Sequence, residues 1–182
     1  MPELSIIGNQ TIPEYGGGLC QIATTLFRAV LNTGLPVTDR QNHSYRVSYY
    51  ERDGNGKYIG PGLDATIYSP APDFKFVNDT GHWILLTSKV QGLQLSFTMY
   101  GTPDGRKVQI DGPKILSSLP APAPVYEYTS KLQPGQTIQT DIAHPGGRTT
   151  VTYTVTHADG TVKKQIFNSY YEPWPARYLV GK

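Results

Sequence analysis

The sequence is short of cysteine, of charge and of long apolar runs. One cysteine in 182 residues excludes an internal disulfide and any metal site built from several thiolates. Charged side chains make up 16% and the formal net charge is +2. So small a charge leaves no electrostatic footprint for nucleic acid, and no nucleic-acid partner is expected. No apolar stretch approaches the roughly 20 residues that cross a bilayer, so a membrane is expected to be met only through segments absent from this chain. Met1-Pro2-Glu3 has neither the basic region nor the apolar run of a secretory leader. His82, His144 and His157 are scattered, with no spacing that suggests a metal. No lysine follows Gly16-Gly17-Gly18 at the spacing of a phosphate loop. No metal and no cofactor is therefore expected.

What is present points to strands and turns. There are 19 glycines, 15 prolines and 13 tyrosines against 5 phenylalanines. Only one segment has clear helical periodicity: Leu19, Ile22, Ala23, Leu26, Phe27, Val30 and Leu31 recur on one face of a helix over Leu19 to Thr33. Gly34 is its expected C-terminal cap, and Pro36 forbids continuation. The rest reads as strands: His43 to Glu51, Leu63 to Tyr68, and a hairpin of Trp83 to Val90 with Leu93 to Tyr100 about Gln91-Gly92. Near the end, Val151, Tyr153 and Val155 alternate with threonines, and Asp159-Gly160 signals a two-residue turn. That turn sets Tyr153 opposite Ile166. Ser117 to Pro124, with its alternating proline and alanine, reads as a semi-rigid spacer. The expected organisation is an α+β domain over 1–116, with one helix packed on an antiparallel sheet, a linker over 117–124, and a small all-β module over 125–182.

Cys20 lies within a turn of the helix start, where unpaired N–H groups and the helix dipole favour thiolate over thiol. It is either a buried core thiol or a nucleophile. A nucleophile needs a base, and the base an orienting group. The helix from Cys20 to Asn32 rises about 18 Å, and the extended chain from Pro36 reaches back about 23 Å by His43, so His43 returns to the level of Cys20. If Asp53-Gly54 forms a two-residue turn, His43 falls directly opposite Asp64, within reach of an imidazole–carboxylate bond. A turn at Asn55-Gly56 instead shifts the register by four, and Gly60-Pro61-Gly62 interrupts the second strand. Asp64 otherwise caps a turn or pairs with Arg46. Arg46 is a candidate ligand for a substrate carboxylate, or else pairs with Glu51 or Asp64. Tyr45, Tyr49, Tyr50, Tyr58 and Tyr68 either line a sugar-binding groove or pack on the sheet.

The blocks Gly16-Gly17-Gly18-Leu19-Cys20-Gln21-Ile22-Ala23-Thr24-Thr25, His43-Ser44-Tyr45 and Gly62-Leu63-Asp64-Ala65-Thr66 resemble the VanW-like domain of bacterial surface proteins, over about Ile12 to Tyr100. The resemblance implies an extracytoplasmic, cell-wall setting and a family domain that starts late here, with an N-terminal piece expected to be missing. More weakly, the same blocks resemble the transglutaminase-like and papain-like plan, in which a cysteine opens a helix, a histidine begins the next strand and an aspartate ends the one after. The Cys-to-His interval is shorter here, and Ser44 stands where an aromatic residue often follows the histidine. Leu132 to Gly135, Gly146-Gly147, Thr152-Tyr153, Asp159-Gly160 and the ending Tyr178-Leu179-Val180-Gly181 resemble the five-glycine domain of cell-wall-associated proteins, which implies adhesion or glycan contact.

Two functions follow as expectations. In the first, Cys20 is the nucleophile, His43 the general base and acid, and Asp64 the orienting group of an acyl-transfer enzyme on cell-wall peptide. Gly17, Gly18, Gln21, Tyr45 and Arg46 would then contact the substrate. In the second, the chain is a non-catalytic module that binds wall peptide or glycan.

Overall fold

The computed structural model describes residues 3–7, 10–14 and 18–182, the first two stretches by backbone alone. In chain order the elements are β1 (Glu3–Ile7), β2 (Gln10–Glu14), α1 (Leu19–Thr33), β3 (Val37–Asp39), a 3-10 turn (Ser48–Glu51), β4 (Lys75–Phe76), β5 (Ile84–Gln91), β6 (Gln94–Gly101), β7 (Lys107–Leu119), β8 (Val125–Thr129), β9 (Thr137–Asp141), β10 (Gly146–Thr156), β11 (Val162–Tyr171) and β12 (Arg177–Gly181). The class is α+β, with strands predominating. Every strand pair is antiparallel except β12 with β8.

Helix α1 has the expected bounds, and its ends show why. Gly18 precedes it at φ 89° and Gly34 follows at φ 82°, donating its N–H to the Leu31 carbonyl at 3.3 Å. Both sit in the left-handed region, where a side chain is strained. Ala23, Phe27, Val30 and Leu31 are buried against Val151, Tyr153 and Val155 of β10 and Phe167 of β11. Phe27 meets Phe74 and Phe167 edge to face, at 5.6 and 5.4 Å between centroids. Burying one such ring contributes about 2–3 kcal/mol. Leu19 and Ile22, on the same apolar stripe, stay exposed beside the helix start.

Packing crosses the boundary expected at 117–124. β7 runs to Leu119 and pairs with β10, setting Ser118 against Gly147 and Leu119 against Gly146. The order of this sheet is β11-β10-β7, and it is the surface that α1 covers. A separate sheet, β8-β12-β9, lies beyond it, with Tyr126 of β8 stacked on Tyr178 of β12 at 5.2 Å.

Three registers differ from expectation. The hairpin of β10 and β11 closes through three residues, not two. His157 N–H donates to the Thr161 carbonyl at 2.8 Å, Gly160 N–H donates to the His157 carbonyl at 3.0 Å, and Gly160 has φ 85°. Tyr153 therefore pairs with Gln165, and Ile166 with Thr152. The slip turns Phe167 into the core and leaves Ile166 exposed.

The strands expected at His43 to Glu51 and Leu63 to Tyr68 also do not form. Arg28 of α1 holds this region instead. Its guanidinium donates to the carbonyls of Leu63 at 2.8 Å, of Arg52 at 2.7 Å, and of Tyr50, which removes acceptors a ladder would need. The β5–β6 hairpin, by contrast, does form, but Gln91 pairs with Gln94, so its turn is Gly92-Leu93 and not Gln91-Gly92.

Candidate active site

His43 and Asp64 meet, though not through the hairpin that the sequence suggested. At the tip, Asp53 closes a wider turn. Its side chain accepts the N–H groups of Asn55 and Lys57, both at 2.9 Å, and Arg52 pairs with Tyr58. Farther in, Gln41 pairs with Thr66. Between these two bridges the first arm runs from 41 to 52 and the second only from 58 to 66. The compact 3-10 turn at Ser48–Glu51 takes up the difference. The Gln41–Thr66 bridge restores the register in which His43 faces Asp64.

Asp64 is the hub. One carboxylate oxygen, Oδ2, accepts the His43 backbone N–H and its ring Nδ1, each at 2.8 Å. The other, Oδ1, accepts the Tyr171 hydroxyl at 2.5 Å and Arg40 Nη2 at 3.2 Å. The side chains of Arg40 and Asp64 are 3% and 5% exposed, so both charges are desolvated and depend on one another. Arg40 is itself tied to the carbonyls of Asp64 and Gly62, at 2.6 and 3.1 Å, and to the Ser169 hydroxyl at 2.9 Å. Gly62 itself sits close against β10. It has φ 133°, and a Cβ there would stand 2.9 Å from Thr149 Oγ1.

With Nδ1 given to Asp64, the other ring nitrogen of His43 is left for Cys20, and the imidazole lies near enough to the thiol for each to shift the other's pKa. Tyr50 packs on the imidazole at 4.8 Å between centroids. Cys20 is half-buried; Sγ lies 3.2 Å from the Thr66 hydroxyl and 3.5 Å from the Ile67 carbonyl. Thr24, one turn further along α1, clamps both backbone groups of Ala65 at 3.0 Å. This holds the Asp64–Ile67 segment against the helix start.

The electrostatics follow from these contacts. Burial pushes the Cys20 thiol up, but hydrogen bonds with His43 and Thr66 outweigh it and hold the thiol at about 7. Burial pushes the His43 imidazolium down, but hydrogen bonds with Asp64 and Cys20 raise it to about 9. Burial pushes the Asp64 carboxyl up, yet the His43 hydrogen bonds and the Arg40 charge bring it to about 2. The thiol is lowered and the imidazolium raised by one another, which favours thiolate beside imidazolium, with Asp64 as carboxylate behind them.

The residues expected to contact substrate are placed differently from one another. Gly18 precedes α1, and its carbonyl accepts the N–H groups of Gln21 and Ile22 at 3.0 and 3.1 Å. Gln21 is exposed on the first turn. Gly17 lies outside the described residues. Tyr45 is buried against His144 and Trp174, at 4.5 and 4.9 Å between centroids, so its ring belongs to the core. Arg46 is bound through two nitrogens to Glu51, both at 2.8 Å, which occupies the fork that a substrate carboxylate would need. Among the remaining tyrosines of this region, Tyr50 is buried, while Tyr49, Tyr58 and Tyr68 are exposed. Arg40 and Tyr171 were not singled out by the sequence. A buried arginine has no local signature, and Tyr171 is 107 residues from its partner. Thr66 stood in a recognised block without a role.

The stretch carrying Cys20, His43 and Asp64 matches the family model described as VanW like protein, over residues 1–100. The uncharacterized protein YoaR of Bacillus subtilis (strain 168) is 37% identical over 97 residues, which is 53% of this chain and 29% of that relative. The chain thus spans under a third of the relative's length. With the family model covering more than half of the chain, it belongs to the VanW-like family.

Proposed function

We propose that this chain catalyses acyl transfer through Cys20, acting on amide bonds of a cell-wall peptide outside the cytoplasm. The observation that carries the reading is the buried Asp64–His43 bond at 2.8 Å, with the imidazole beside a thiol at a helix start, close enough to lower the thiol's pKa. The order Cys20, His43, Asp64 around one helix supports a transglutaminase-like plan. The wall substrate and the extracytoplasmic setting rest on the family.

The chemistry balances with these groups alone. The Cys20 thiolate attacks the amide carbonyl carbon, and the oxygen gains the negative charge. Gln21 and Ile22 N–H are already bonded to Gly18, so Leu19 and Cys20 N–H are the first-turn groups that would hold that oxyanion. The C–N bond breaks as the His43 imidazolium gives its proton to the leaving amine, and a thioester remains on Cys20. A water or a second amine then loses a proton to His43 and attacks the thioester. The product leaves as an acid or a new amide, and the thiolate is restored. Asp64 keeps its charge throughout and orients the ring. The β8-β12-β9 sheet, with its five-glycine-like sequence and the Tyr126–Tyr178 stack, supports a second role for the tail in holding wall glycan.

The test is the rate of Cys20 alkylation by iodoacetamide as a function of pH. The native protein is expected to show a midpoint near 7, and His43→Ala is expected to raise it by a unit or more, toward the ordinary thiol value. A native midpoint already at that value, or no reaction before unfolding, overturns the catalytic reading and leaves wall binding as the function.

A further inference from the structure

We infer that Tyr171, at the end of β11, is a positioning residue of the Cys20–His43–Asp64 unit and acts through Asp64, so that the site is completed by a strand outside the stretch the family model matches. This rests on the thiol chemistry proposed above.

The two oxygens of a carboxylate move together, so whatever holds Oδ1 of Asp64 also aims Oδ2 at His43. Tyr171 supplies the shorter of the two bonds on Oδ1, 2.5 Å against 3.2 Å for Arg40. Its ring is 2% exposed, and its backbone pairs with Gly147 in the β10–β11 ladder. The hydroxyl is therefore carried by the sheet that α1 packs on, not by a loop. Burial, and then the charge of Asp64, push the Tyr171 hydroxyl well above its ordinary pKa, so it remains a donor wherever the thiolate forms.

Two more bonds fasten the same strand end to the His43 segment. Asn42 Nδ2 donates to the Tyr170 carbonyl at 2.7 Å, and Glu172 N–H donates to the Ser44 carbonyl at 2.6 Å. Residues 170–172 thus hold the chain on both sides of His43, and Tyr171 reaches between these anchors to the carboxylate. Without the hydroxyl, Oδ1 is left to Arg40 alone. The guanidinium then draws the carboxylate toward itself and away from Nδ1. The imidazolium loses support, and the thiolate beside it becomes harder to form.

The experiment repeats the alkylation profile on the full chain with Tyr171→Phe, which keeps the ring and removes only the hydroxyl. The midpoint is expected to rise by about half a pH unit, in the same direction as His43→Ala but by less. Tyr170→Phe alters the exposed neighbour and is expected to leave the profile unchanged. Site-specific 3-fluorotyrosine at position 171 keeps both ring and hydroxyl while strengthening the donor, and is expected to move the midpoint slightly down. This second variant decides the matter if Tyr171→Phe fails to fold. Should His43→Ala shift the profile while both changes at 171 leave it on the native curve, Tyr171 is structural only and this inference is overturned with the thiol chemistry intact. Should His43→Ala also leave the profile unmoved, the thiol chemistry falls first and this inference with it.

Discussion

Each end of α1 lies beside an arginine paired with carboxylate, and the two networks are built in opposite senses. At the C-terminal end the arginine is the hub. Arg106 donates to the Gly34 carbonyl and to Asp79, both at 2.8 Å, and to Asp104 at 2.7 Å. Asp79 also meets Lys163 at 3.4 Å. Every one of these bonds ends in the fold. At the N-terminal end the carboxylate is the hub, and one of its donors, His43, lies beside a thiol whose pKa it lowers. A network centred on a guanidinium only closes. A network centred on a carboxylate can pass its charge through an imidazole to a neighbouring group. The same types of residue thus make a clamp at one end and a candidate catalytic chain at the other.

The sharpest way to break this comparison is Asp64→Asn. It leaves the Arg40 guanidinium buried without its counter-charge, and the expected loss is about 3–5 kcal/mol of stability in urea unfolding. A loss below about 1 kcal/mol would mean that Arg40 finds other compensation. The same variant tests the acid limb. Asp64 is held at about 2 against an ordinary 3.8, so its contribution is complete above about pH 4 and is lost as the pH falls through 2. That part of the native pH dependence is expected to vanish in Asp64→Asn.

Arg106→Met is the matching change at the other end. Asp79 and Asp104 are partly exposed, and Asp79 keeps Lys163, so the expected loss is smaller, about 1–3 kcal/mol. The alkylation profile of Cys20 should stay on the native curve; a displaced profile would show that the two ends are coupled through α1. Smallest of all is Lys114→Ala. Its ion pair with Asp111 joins side chains more than half exposed, and thermal unfolding should register a change within about 0.5 kcal/mol.

Helix α1 was legible in the sequence because its signals are local: a 3.6-residue stripe, glycine at each end and a proline beyond. The β5–β6 hairpin was legible as two strands, but its turn falls one residue later than Gln91-Gly92 suggested. The facing of His43 and Asp64 was also legible, but the route was not. Counting from Asp53-Gly54 assumed two straight strands, whereas Arg28 withdraws their carbonyls and a 3-10 turn at Ser48–Glu51 absorbs the surplus residues. The β10–β11 register was missed by one residue because Asp159-Gly160 serves a three-residue loop, in which Asp159 accepts the Thr161 N–H at 2.8 Å. The roles read for Tyr45 and Arg46 came from their chemistry alone. Their actual partners are Trp174 and His144 for the first and Glu51 for the second, and only the fold brings the ring partners near. Arg40 and Tyr171 were invisible because nothing in a linear reading joins position 64 to position 171.

That separation has a consequence for how the reactive thiol comes into being. Asp64 and Tyr171 are 107 residues apart, and Arg40 and Ser169 are 129 apart. Contacts of this range close late, after helices and hairpins have formed. A chain emerging from the ribosome presents Cys20, His43 and Asp64 long before β11 exists to join them. Until that strand docks, Asp64 lacks its Tyr171 bond and Arg40 its Ser169 bond. Under the proposed chemistry, docking of β11 would be the step that completes the network behind the thiol.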